Sequence, residues 1–148
     1  MILLDRLIGA FYWVKVKSSL TESNYLDALN YLNKVEDKIS SKIKYKFYFF
    51  KAFSLLMLKE FEYSVILIEK GITLAKEVKE YNDDEKKYLE VYGLDLLELN
   101  FKMLDKSIEN KQIKKQISLI YFDIKKVRRN ITYNFPMRNH KEWNDSYE

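Results

Sequence analysis

The chain has 148 residues, 47% hydrophobic and 16% aromatic, which excludes a disordered protein and fits one core of ordinary size. With 3 Gly and 1 Pro it lacks the turn chemistry of an all-β protein, and with no Cys it has no disulfide, thiolate metal site or cysteine nucleophile. The net charge of +4 is carried by 22 Lys and 4 Arg; phosphate forks favour Arg, and a chain rich in Lys, Asn, Ile and Tyr is what an AT-rich coding sequence produces, so nucleic acid is not the expected partner.

Six helices are expected in chain order. The first covers about Leu3 to Ser19. Thr21 or Ser23 is expected to cap the second, whose stripe Tyr25, Ala28, Leu29, Leu32, Val35, Ile39 follows the helical period. Ser40 or Ser41 opens the third, which reaches about Leu58 and is apolar nearly all round from Tyr45. The fourth starts near Glu60 and aligns Phe61, Val65, Ile68, Ile72 and Ala75. Asn82 or Asp83 caps the fifth, where Asp83, Asp84 and Glu85 suit a helix N-terminus. The sixth spans about Lys111 to Arg129, with Ile113, Ile117, Ile120, Ile124 and Val127 on one side. Trp13 to Lys17 and Ile43 to Phe49 alternate as strands do, but their flanks lack Gly and Pro, so helix is preferred. The domain is expected over 1–130, and 131–148, which holds Pro136, is read as a tail or loop.

The first four helices form two copies of one unit. Phe11-Tyr12-Trp13-Val14-Lys15 recurs as Phe47-Tyr48-Phe49-Phe50-Lys51, a displacement of 36 residues. At that displacement Ser18 meets Ser54, Leu20 meets Leu56, Ala28 meets Ser64, Leu32 meets Ile68 and Lys34 meets Lys70. Periods of this size mark stacked helical hairpins, which bury their apolar faces on neighbours and leave a broad surface for a partner.

The repeat resembles the tetratricopeptide repeat family. The second helix of each unit there opens with an aromatic and places a small residue three positions on, as Tyr25 with Ala28 and Phe61 with Ser64 do here; Ala52 and Gly71 match the family's small residues at close helix approach. The chain departs from the family in its period of 36 rather than 34, in Lys15 and Lys51 where an aliphatic is usual, and in having no Pro at the end of either unit. A third unit from Tyr88 keeps Gly93 but not the second helix. The resemblance implies an all-α, right-handed stack of about three antiparallel hairpins. It also implies that the first helix of each unit lines a concave groove, where Trp13, Lys17, Phe49 and Phe53 are the expected partner-binding residues.

Catalysis has little support. His140, the sole histidine, lies in a polar stretch; Asp95 and Glu98 are expected as surface carboxylates, and Asp123 as a boundary carboxylate paired with Lys126. Gly9, Gly71 and Gly93 are isolated, so no phosphate loop is expected, nor any metal or cofactor. Lys102 to Arg129 holds nine basic and three acidic residues, whereas Lys76 to Glu98 holds eight acidic and four basic. The acids Asp83, Asp84 and Glu85 are therefore the second expected binding set, suited to a basic partner. No segment has the length of a membrane span, and neither a signal peptide nor a membrane partner is expected, so the reading is soluble and cytoplasmic. The function expected is a non-catalytic protein-binding module, foremost an immunity protein neutralising a secreted, basic toxin domain. A secretion chaperone of similar fold, or an RNA-binding protein using 102–129, are the alternatives.

Overall fold

A computed structural model describes residues 2–128; the expected tail over 131–148 and His140 lie outside the described residues, as do the side chains of Asp123 and Lys126. The described residues are all-α and contain no strand: α1 Ile2–Thr21, α2 Tyr25–Val35, a 3-10 turn Ser41–Ile43, α3 Lys44–Met57, α4 Phe61–Glu77, α5 Asp83–Ser107 and α6 Lys111–Arg128. Contacts divide the chain into two compact units, Met1–Leu74 and Ala75–Glu148. The boundary falls inside α4, within the span that the sequence suggests as one domain.

In unit 1 the 36-residue period extends to the backbone. α1 and α3 end at Thr21 and Met57, and α2 and α4 begin at Tyr25 and Phe61. Between them Ser23 (φ 60°) and Lys59 (φ 68°) take the left-handed conformation. The Asn24 N–H donates to the Ser19 carbonyl at 2.8 Å and that of Ser23 to Leu20 at 3.1 Å; the Glu60 N–H donates to Leu55 at 2.8 Å and that of Lys59 to Leu56 at 3.0 Å. This is a Schellman C-cap made twice, satisfying the last carbonyls of α1 and α3. Glycine ordinarily fills the left-handed position because it has no Cβ to clash there. Neither Ser23 nor Thr21 caps α2. Asn24 does, its side chain accepting from the Asp27 N–H at 3.2 Å, because the left-handed turn at Ser23 moves the helix start one residue on.

Matching positions also pack alike. Val16 and Ala52, Leu20 and Leu56, Ala28 and Ser64, and Leu32 and Ile68 are all buried. α1 packs on α2, and α2 on α3. α3 meets α4 where the Ser64 hydroxyl donates to the Ala52 carbonyl at 2.7 Å and where Gly71 lies against the Phe49 ring. A helix covered on several sides explains the strand-like alternation in the sequence. Tyr45, Phe47 and Phe49 are buried and Lys46, Tyr48 and Phe50 half-buried, yet Ala52 to Leu56 are buried without a break.

In unit 2, Asn82 caps α5 through a capping box: its side chain accepts from the Glu85 N–H at 2.8 Å, and the Glu85 carboxylate accepts from the Asn82 N–H at 3.4 Å. Asn110 caps α6, accepting from the Gln112 and Ile113 N–H groups. α5 packs on α6 and buries Val91, Tyr92, Leu96 and Leu99. The 36-residue period stops here. A third copy would begin its second helix at Leu97, but α5 runs unbroken through that point, where no turn residue interrupts the apolar pattern.

Candidate interaction surface

Unit 1 carries a belt of aromatic rings covered by lysines, placed by the repeat. The Lys15 ammonium lies 5.5 Å from the Phe11 ring, and Lys51 lies 5.7 Å from Phe47. Lys34 lies 5.1 Å from Tyr12, and Lys70 lies 5.9 Å from Tyr48. One cation–π pair per 70–80 residues is usual, so two kinds recurring at a fixed interval within unit 1 are a built feature. The lysines at 15 and 51, which depart from the tetratricopeptide pattern, cap the rings four residues before them. Lys34 also reaches Tyr31, which stacks on Tyr12 at 6.0 Å. Lys15 leaves Phe11 largely exposed, whereas Phe47, with Lys44 and Lys51 over its ring, is fully buried.

The residues expected to line a groove are not all on a surface. Trp13 is half-buried with its ring 5.1 Å from that of Phe50, and Lys17 is exposed. Phe49 and Phe53, by contrast, are fully buried. Phe49 packs edge-on to Tyr45 and against Gly71, and Phe53 edge-on to Tyr25 of α2. They face inward because α3 has helices on both sides, so of the four residues expected in the groove only Trp13 and Lys17 reach the surface.

Asp83, Asp84 and Glu85 are exposed in the first turn of α5 in unit 2. Glu85 already serves the capping box, which leaves Asp83 and Asp84 to present charge. The expectation for Asp95 and Glu98 is corrected: both are fully buried, together with Asn100, instead of lying on a polar face. All three take part in interactions, as burial of polar groups requires. The sequence conceals this because their three-residue spacing looks the same on a solvated helix. A cavity of about 220 Å³ lined by Phe101, Lys102, Asp105, Ile117 and Ser118 lies between α5 and α6, below the 300–1,000 Å³ of ordinary ligand pockets.

One surface escapes a reading aimed at charge and aromatic clusters. Leu3, Leu4, Leu7, Phe11 and Val14 of α1 are all exposed, although helical spacing places them in one stripe. No family model, curated protein or solved structure matches the chain.

Proposed function

We propose that the chain is a non-catalytic protein-binding module, a right-handed stack of antiparallel hairpins similar to tetratricopeptide repeats, which acts in the cytoplasm as an immunity protein neutralising a basic toxin. The observation that carries this reading is the exposed pair Asp83 and Asp84 at the start of α5, on a chain that is basic overall. A toxin that handles nucleic acid needs a positive surface, and an acidic patch on its inhibitor raises the encounter rate with that surface. The doubled hairpin of unit 1 supports the scaffold half of the reading, since repeated units serve to display an extended face.

The test is the association rate with the partner recovered by co-purification from the native host, measured as salt is varied. Asp83→Lys with Asp84→Lys removes the patch and leaves the Asn82–Glu85 cap in place. The substitutions cost about 1 kcal/mol at the helix N-terminus, too little to unfold a typical domain. A slower on-rate with weaker salt dependence is expected. An unchanged on-rate, or an acidic partner, refutes the proposal.

A further inference from the structure

Leu3, Leu4, Leu7, Phe11 and Val14 are 57–71% exposed. Together they show on the order of 500 Å² of apolar surface, at the upper end of what a monomer ordinarily displays. The repeat shows what such a face is shaped to hold. Leu7, Phe11 and Val14 correspond at 36 residues to Ile43, Phe47 and Phe50, and α3, which carries Phe47 and Phe50, has α2 packed on it. There Phe47 is fully buried and Ile43 and Phe50 are half-buried. The stripe on α1 occupies the matching positions of the repeat, exposed where those of the second hairpin are covered.

The rim defines the occupant further. Arg6, Lys15 and Lys17 are exposed beside the stripe. Lys17 stands where Phe53 stands in the second hairpin, the residue on which Tyr25 of α2 packs. An incoming helix therefore meets an ammonium where α2 meets a ring. We propose that the α1 stripe docks an amphipathic helix of a partner protein whose apolar face is flanked by Asp or Glu. A second copy of α1 fits poorly, because its own Arg6, Lys15 and Lys17 would oppose the same three cations. A lipid surface favours a helix with one apolar and one polar face, whereas the other side of α1 is packed on α2. This face belongs to unit 1 and is independent of the acidic start of α5.

Fluorescence anisotropy on the full chain tests the proposal. The probe is a labelled synthetic helix with leucines at i, i+4, i+7 and i+11 and glutamates on the flanks; its twin has lysines in place of the glutamates. The glutamate peptide is expected to bind in the micromolar range and the lysine twin about tenfold more weakly or worse. Leu7→Asp should weaken the glutamate peptide about tenfold with the helical circular dichroism unchanged. Lys15→Glu with Lys17→Glu, both on the surface, should reverse the preference, and this decides the matter if Leu7→Asp disturbs folding. The proposal is overturned if neither peptide binds, if both bind equally, or if the charge swap leaves the preference as it was. It is also overturned by a dimer in sedimentation that Leu7→Asp dissolves, or by anionic vesicles binding through Leu7 where the peptides do not.

Discussion

Gly71→Ala should destabilise the protein, although the same change in an exposed helix stabilises it. A Cβ built on Gly71 lies 2.6 Å from Phe49 Cε1, 2.7 Å from Cδ1 and 3.3 Å from Cζ. Carbon atoms rest about 3.5–4.0 Å apart, so the ring has to retreat by about 1 Å. It has little room to do so, since Phe49 is fully buried and packs edge-on to Tyr45. Overpacking of this kind costs about 1–3 kcal/mol. Alanine returns about 1 kcal/mol through its helix propensity. The net loss is then about 1 kcal/mol, or a fall in Tm of about 2–4 °C for a chain of this length. Phe49→Leu removes the obstructing ring, and in that background Gly71→Ala should become stabilising. Urea unfolding of the four proteins in the cycle, followed by circular dichroism, measures the coupling directly. If Gly71→Ala raises stability equally in both backgrounds, α3 and α4 do not approach at Gly71 and the packing account fails.

Lys59→Gly should stabilise the protein by up to about 1 kcal/mol, because φ 68° strains a residue with a side chain and not glycine; Ser23→Gly should behave alike, and a loss of stability in thermal melts would contradict the left-handed turns. Ala52→Leu should cost about 1–3 kcal/mol, since Ala52 is fully buried and its carbonyl receives the Ser64 hydroxyl; an unchanged melting temperature would place Ala52 on the surface. Asn82→Ala should cost about 1 kcal/mol through loss of the capping box, with faster amide exchange at the start of α5 as the local sign.

The helices were legible in the sequence because their signals are local and, in unit 1, doubled. Apolar residues recur at helical spacing, and the second copy of each motif corroborates the first, down to Lys34 and Lys70. What needs tertiary knowledge was not legible. Ser23 and Lys59 carry no glycine to mark the left-handed turn, so the start of α2 reads one to three residues early. Phe49 and Phe53 look like groove residues until α2 and α4 are seen to enclose α3. Asp95 and Glu98 have the spacing of a solvated face, and only the packing of α5 reveals their burial. The exposed stripe on α1 looks like core for the same reason in reverse, since an apolar period states that a face wants covering and not whether anything covers it.

The central claim, that this is a protein-binding module whose acidic α5 start meets a basic partner, is tested most directly by parallel pull-downs from the native host. Wild-type chain and the Asp83→Lys, Asp84→Lys variant serve as bait, with bound proteins identified by mass spectrometry. The account predicts one basic protein retained by the wild type and lost or sharply reduced with the variant. Retention of an acidic protein, equal retention by both baits, or RNA in place of any protein would contradict it.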